Sequence, residues 1–575
     1  MSKNLNKNDE QYPEGESLKS VEISQPKNMF VEQKMRNYPG FHKNMYDYFT
    51  EFSNNTGIHG FKYMGEPERS FIEKFYWFIL FCASLYFCIY LIVHTWSSVL
   101  VSFVQTPTPV WQVPFPAITV CPENKVRQSV YNFTHYYHKV LDDITAKEKN
   151  TLTTSSLTDE ELQKFYDVSL ICDNYLYEKG NKTTSFETIQ YLINIAPPFH
   201  QVVMGCKWTG TNETCDKLFS PVLTEDGICF TFNMLDRSEL FTNAVYLHGD
   251  YLMSHDKRSG GWTLENGYPD KAGKETFPRR TMSAGPSFGL LLLLGAYEED
   301  LDYICRGPMQ GFKVLLHHPA EVPDTKIQYF RVPLNTETAV AIKPDVSTTS
   351  PGLKNYDPHQ RQCFFAQGRQ LKFYQDYTQQ NCQMECVANY THAKCGCVAF
   401  HMPHEESTKI CGVGSTDCIV DAEQEMLSRE MGSEFRRFEG KDEYNISETI
   451  CDCLPACTSI TYNAEISQAD FNWVKLLQGY KSNPSDFSGI QMTRLTLYFK
   501  HTQFITSKRN EFYGQIDFLA NCGGLLGLFT GFSFLSIVEI LYFLSLRLLC
   551  NIKKYGIHFW SGSKTLINGD NDLPK

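Results

Sequence analysis

Near its C-terminal end the chain reads GGLLGLFTGFSFLSIVEI, Gly523 to Ile540, and the residue types there could strip and hold a small cation. Gly523, Gly527 and Gly531 recur every four residues. On a continuous helix they share one face, a pattern that permits close helix approach in lipid. Asp517 stands before this stretch and Glu539 after it. On a helix starting near Asp517, with a rise of ~1.5 Å per residue, Gly531 lies about 21 Å along and Glu539 about 33 Å along. That spacing puts Asp517 at the outer mouth and Glu539 near the cytosolic edge. A carboxylate facing lipid at the bilayer centre costs roughly 2.5–3.5 kcal/mol on insertion scales, so such groups face water or a partner. Carboxylate rings concentrate cations at pore mouths. Small residues between them leave backbone carbonyls and the Ser533 hydroxyl to replace a hydration shell. The plainer reading of the glycines is dimer packing.

No other stretch suggests catalysis: GxSxG, HExxH and a phosphate loop are all absent from the sequence. His317 and His318 are adjacent, so in a strand they point to opposite faces, which is poor metal geometry and reads as structural. GPMQGF, Gly307 to Phe312, has the punctuation of a turn. No enzyme, cofactor or metal is expected, and the net charge of −12 without a basic stripe excludes nucleic acid as a partner.

The elements that must position the glycine stretch are two apolar segments. Phe75–Val93 runs 19 residues without a charge and Phe518–Val538 runs 21, each about the ~20 needed to cross a bilayer. Two spans cannot enclose a pore, so several subunits must contribute. Residues 1–50 are polar, are expected to lack order, and contain no apolar core of a cleavable signal. Lys62, Arg69 and Lys74 precede the first span, none follows in Thr95–Pro114, and Arg547, Lys553 and Lys554 follow the second. This bias places both termini in the cytosol and His94–Tyr513 outside. The expected organisation is 1–74 cytosolic, 75–93 first span, 94–513 exterior, 514–546 second span and 547–575 cytosolic tail.

Sixteen of the 20 cysteines lie outside: Cys121, Cys172, Cys206, Cys215, Cys229, Cys305, Cys363, Cys382, Cys386, Cys395, Cys397, Cys411, Cys418, Cys451, Cys453 and Cys457. An even number in an oxidising compartment predicts disulfides rather than zinc. Cys395 and Cys397 are too close to pair with each other, so each should reach a more distant partner. Cys82, Cys88, Cys522 and Cys550 are expected to stay reduced. Glycosylation sequons at Asn132, Asn181, Asn212, Asn389 and Asn445 fall outside, whereas the sequon at Asn54 is cytosolic and should stay bare.

Within the exterior, Ala117–Val120, Gly289–Gly295, FKVLLHHPAEVP and KIQYFRVPL read as strands, and Arg494–Lys500 as a strand leading back to the membrane. Thr158–Leu176, with Thr158 as N-cap and Glu161 three residues on, reads as helix, as does SQADFNWVKLLQGY. Strands and helices mix without βαβ regularity. The predicted fold class is therefore a membrane protein with two transmembrane helices and a large disulfide-rich α+β exterior.

The chain resembles the degenerin/epithelial sodium channel family, nearest its insect pickpocket branch. The resemblance rests on His59-Gly60 before the first span, PFPAITVCP, GFKVLLHHPAEVP, CDCLPACTSITY and the Gly531-Phe532-Ser533 tripeptide, in this order across nearly all of the chain. It implies a trimer, homomeric or with related subunits, that conducts sodium ions through the plasma membrane and is typically amiloride-sensitive. It also implies a hand-like exterior open to an extracellular ligand, acid or force. Gly531, Phe532 and Ser533 would form the selectivity filter and His59-Gly60 the cytosolic pore lining. Ala520 would stand where enlarged side chains give overactive channels. Two departures are Phe532, where the family is often small, and Asn521, where many relatives carry aspartate. The competing readings are a two-span scavenger or lipid-binding receptor and an ATP-gated trimeric channel, the latter lacking the clustered exterior lysines it would want.

Overall fold

The computed structural model describes residues 39–97, 101–148, 157–172, 180–246, 258–438, 451–481, 487–511 and 514–568. Sequon residue Asn445 lies outside them. The chain divides into two compact units: one of Met1–Ser97 with Gln515–Lys575, the other of Ser98–Gly514.

The first unit is helical. Helix α1 is Phe41–Asn55, α2 is Phe61–Gly65 and α3 is Phe71–Ser97. Helix α1 thus starts inside the first fifty residues, because its aromatic face has partners distant in sequence. Phe52 meets Phe61 and Phe543 with ring centroids 6.1 and 5.4 Å apart. Helix α3 begins where Ser70 accepts from the Glu73 amide and hydrogen-bonds its carboxylate, a serine–glutamate cap. Its segment Phe71–His94 is long and apolar enough to span a membrane.

The second apolar segment is not one helix. It forms α4, Gln515–Thr530, then a break at residues 531–533, then α5, Phe534–Tyr542. A π-helical turn, Phe543–Arg547, leads into α6, Leu548–Tyr555. The expectation of a continuous span over Phe518–Val538 is corrected here. Phe534–Tyr555 is long and apolar enough to span by itself, and Ile516–Thr530 is a shorter apolar helix.

The second unit is built on two large sheets beside a two-stranded ribbon, in which Thr183–Thr184 pairs with Ile410–Cys411. Strands are β1 Val101–Pro109, β2 Ala117–Pro122, β3 Val203–Trp208, β4 Thr211–Asn212, β5 Phe219–Thr224, β6 Gly227–Phe232, β7 Leu290–Tyr297, β8 Phe312–His317, β9 Phe330–Val332, β10 Thr336–Thr349, β11 Ser459–Asp470, β12 Ile490–Phe499 and β13 Gln503–Glu511. The larger sheet runs β1-β13-β10-β12-β7-β3-β4, with β11 also on β10; the smaller runs β9-β8-β2-β6-β5. Strand β10 is the spine. Antiparallel β11 covers one edge, and β12 and β13 occupy successive halves of the other, both parallel to it. The chain therefore returns toward the membrane through β13, not directly from the strand at Arg494–Lys500.

In β7 the side chains alternate: Leu290, Leu292 and Leu294 are fully buried, while Leu291 and Leu293 are partly exposed. This is the period of two expected of a strand with one packed face. The core joins both sheets; the Phe115 ring lies edge-on to Trp208 and Phe499, each at 5.1 Å. Thr158 and Glu161 form the expected capping box, but that helix ends at Val168. The helix predicted at SQADFNWVKLLQGY is shorter too: residues through Asp470 extend β11, and only Trp473–Gly479 is helical. The β10 edge captured the polar half of that segment through backbone pairing, which side-chain periodicity does not report.

All sixteen exterior cysteines are paired: Cys121–Cys229, Cys172–Cys305, Cys206–Cys215, Cys363–Cys457, Cys382–Cys453, Cys386–Cys451, Cys395–Cys418 and Cys397–Cys411. Cys82, Cys88, Cys522 and Cys550 are free. The pairs of Cys382, Cys386 and Cys395 staple helix Gln379–Cys395 to segments nearer the C-terminus. Asn132, Asn181, Asn212 and Asn389 are exposed, and exposed Asn54 lies in α1. His317 and His318 are buried and used structurally: His317 Nε2 lies 2.8 Å from Thr119 Oγ1, and His318 Nδ1 accepts from the Ala320 amide at 3.2 Å.

Candidate functional site

The break between α4 and α5 is where backbone, glycine and capping chemistry meet. Gly531 takes φ +64°, the left-handed region that glycine enters at low cost. Its amide still bonds the Gly527 carbonyl at 2.9 Å, but the Phe532 amide reaches back to Leu526 at 3.3 Å, closing the helix end. Ser533 then starts α5. Its hydroxyl accepts from the Ser536 amide at 3.4 Å, and the Ser536 hydroxyl accepts from the Ser533 amide at 3.1 Å. Two findings correct the sequence expectation. Gly531 ends rather than continues the helix that carries Gly523 and Gly527, in the left-handed region and still bonded to the Gly527 carbonyl. The Ser533 hydroxyl is committed to capping α5 rather than left free.

The α4 end is held by groups from the other half of this unit. Ser84 Oγ on α3 donates to the Phe529 carbonyl at 2.6 Å. The His59 amide donates to the Thr530 carbonyl at 2.9 Å. Gly531 and His59 are in close contact: a Cβ added to Gly531 would come within 2.6–2.8 Å of the His59 ring. Gly60, at φ +87°, turns the chain into α2.

Glu539 completes the site. Its carboxylate accepts from the Gly57 amide at 3.1 Å and the Thr56 hydroxyl at 3.4 Å, pinning the loop between α1 and α2 to α5. Below it, the Tyr48 hydroxyl donates to the Phe543 carbonyl and Arg547 pairs with Glu51. The π-helical turn at Phe543–Arg547 therefore sits where α1 crosses the second span. The structure brings together His59, Gly60, Gly531, Phe532, Ser533 and Glu539. Asp517, Ala520 and Asn521 stand apart from them in the first turns of α4, with Asp517 and Ala520 exposed. Thr56, Gly57, Ser84 and Tyr48 were not singled out from the sequence. The available signal was the short polar Thr56-Gly57 turn between two helices; nothing local marks Ser84.

Comparisons with known proteins show the family of the chain. The sequence profile of the family described as amiloride-sensitive sodium channel matches residues 52–543. Pickpocket protein 28 of Drosophila melanogaster is 27% identical over 519 residues, covering 86% of this chain and 78% of the relative. Sodium channel protein Nach of the same fly is 21% identical over 532 residues, 88% of each chain. Acid-sensing ion channel 1 of Gallus gallus is 22% identical over 519 residues, 85% of this chain and 82% of the relative. The matched family is one of ion channels rather than enzymes, and with two helices long and apolar enough to span a bilayer the chain is a two-span plasma-membrane protein. The chain belongs to the amiloride-sensitive sodium channel family, the degenerin/epithelial sodium channels, and is a cation channel subunit.

Proposed function

We propose that the chain is one subunit of a trimeric, sodium-preferring, amiloride-sensitive channel opened by an extracellular stimulus: ligand, acid or force. The observation that carries this reading is the interruption of the second span at Gly531-Phe532-Ser533. A helix buries its own carbonyls in hydrogen bonds; a break in a small-residue stretch turns carbonyls outward. Around a three-fold axis, the carbonyls of residues 531 and 532 would form a ring of oxygens that substitutes for water around a small cation. Ser533 supports that ring by capping α5. Asp517 would draw cations toward the outer end of α4, and Asn521 leaves that end less acidic. Phe532 is half-exposed; its ring would pack away from the axis.

The loop around His59-Gly60 would brace the filter from the cytosolic side, through the Thr530 carbonyl above and the Glu539 carboxylate below. Whole-cell recording with sodium replaced by potassium or N-methyl-D-glucamine, with and without amiloride and under acid, pressure and ligand stimuli, tests the reading. Inward current that follows sodium and falls with amiloride supports it. In the Ser533→Cys variant the sodium-to-potassium ratio or sensitivity to thiol-binding metal ions should change. An unaltered ratio and unaltered block in a well-expressed variant would remove residues 531–533 as the filter.

A further inference from the structure

Among the described residues of the exterior unit, four side-chain carbonyl oxygens are buried without a hydrogen-bond partner, and the residues of three of them line one small cavity: Asn124 Oδ1, Gln201 Oε1 and Gln310 Oε1, the fourth being Asn381 Oδ1 elsewhere. They come from separate segments. Asn124 follows β2, Gln201 lies in the helical turn Phe199–Val202 before β3, and Gln310 lies in the loop before β8. Asn124 is only 7% exposed. The cavity measures about 20 Å³, above the ~10–15 Å³ that one water-sized occupant needs. Asp300, 4% exposed, is on its wall, with one carboxylate oxygen accepting from Ser129.

A carbonyl oxygen can only accept, so three of them cannot satisfy one another. A water in the cavity brings two protons and leaves one oxygen unanswered. A cation answers all three at once and needs no proton. The donors are hard oxygens, three neutral amides beside a single carboxylate. Calcium sites gather several carboxylates among six to eight oxygens, and magnesium demands a strict octahedron with retained waters. So low a ligand charge suits a monovalent ion. The buried Lys125 ammonium nearby is turned elsewhere: it donates to the Pro122 carbonyl at 2.7 Å and is drawn by Asp226.

We propose that Asn124, Gln201 and Gln310 hold an alkali-metal cation, sodium in the extracellular medium, that ties the end of β2, the turn before β3 and the loop before β8 together. This site is separate from the filter and structural in role. The test is thermal unfolding of the full-length channel in lipid nanodiscs, in chlorides of sodium, lithium, potassium, calcium and N-methyl-D-glucamine at equal ionic strength. Tm should rise saturably with sodium over N-methyl-D-glucamine. Asn124→Leu and Gln310→Leu should each abolish that rise. Asn124→Asp keeps the shape and adds charge, so it should move the sodium midpoint at least tenfold lower, which covers the case in which a leucine variant does not fold. Equal Tm in sodium and N-methyl-D-glucamine, a shift with calcium alone, or a sodium shift that survives in folded Asn124→Leu and Gln310→Leu would each overturn the proposal. The last outcome would place the stabilising ion elsewhere, as in the pore.

Discussion

Replacing Gly531 with alanine attacks the break in the second span at two points. The residue sits at φ +64°, and holding a side chain in the left-handed region costs roughly 1–2 kcal/mol. The new Cβ would also lie 2.6–2.8 Å from three atoms of the His59 ring. That ring must turn away or carry its loop with it. If the loop moves, the His59 amide loses its 2.9 Å bond to the Thr530 carbonyl, about 1 kcal/mol net. Together the two effects come to about 2–3 kcal/mol, a shift of about 30- to 150-fold against the docked state at 1.4 kcal/mol per factor of ten. The assay is a double-mutant cycle on open probability and sodium-to-potassium ratio at matched surface levels: Gly531→Ala, His59→Ala and both. His59→Ala removes the clash but not the backbone strain, so the double variant should recover part of the loss. A Gly531→Ala channel with wild-type open probability and selectivity, or a double variant no better than the single, would refute the contact and the reasoning built on it.

Other expectations rest on the same structure. Glu539→Gln keeps the loop contacts but removes their charge, costing about 1 kcal/mol; open probability should shift about fivefold at an unchanged sodium-to-potassium ratio, and the reverse pattern would assign Glu539 to selectivity. Ala520→Val and Ala520→Phe should raise resting sodium current in order of side-chain volume if α4 helices converge there; no added current at normal surface expression rejects that. Burial pushes the Glu321 carboxyl up to about 7, while it holds His317 down to about 4 and His318 to about 3. Between ~4.5 and 7 the folded state keeps the Glu321 proton, so this group's contribution to stability fades as pH rises through 7, whereas the histidines cost stability as pH falls below ~6.5. Glu321→Gln should therefore raise Tm relative to the parent more at pH 8 than at pH 5, and an equal difference at both would contradict the assignment. Mass mapping without reduction should recover Cys395–Cys418 and Cys397–Cys411 as separate links, and free exterior thiols would contradict it.

Much of this protein was legible along the chain because the physics involved is local. Nineteen uncharged residues at Phe75–Val93 specify a span by transfer energy alone. Five consecutive leucines, too short a run to span a membrane, mark β7 as a buried strand, and Thr158 with Glu161 specifies a cap, since each signal lies within a few residues. Cys395 and Cys397 could be denied to each other by spacing. Their true partners could not be named, because pairing depends on where helix Gln379–Cys395 and the helix beginning at Thr416 come to lie.

The break at residues 531–533 is the clearest case of what only tertiary structure decided. Apolar composition makes Phe518–Val538 read as one uninterrupted helix, although Gly531 and Ser533 are residues able to end one helix and cap the next. What opens it are partners hundreds of residues away: the His59 amide takes the Thr530 carbonyl, Ser84 takes the Phe529 carbonyl, and Glu539 anchors the Thr56-Gly57 turn. In lipid a carbonyl freed from a helix must find a donor or water. The chain could end α4 early only because folding brings those donors to it. Composition determined that this segment enters the membrane, and long-range hydrogen bonding determined where its helix stops.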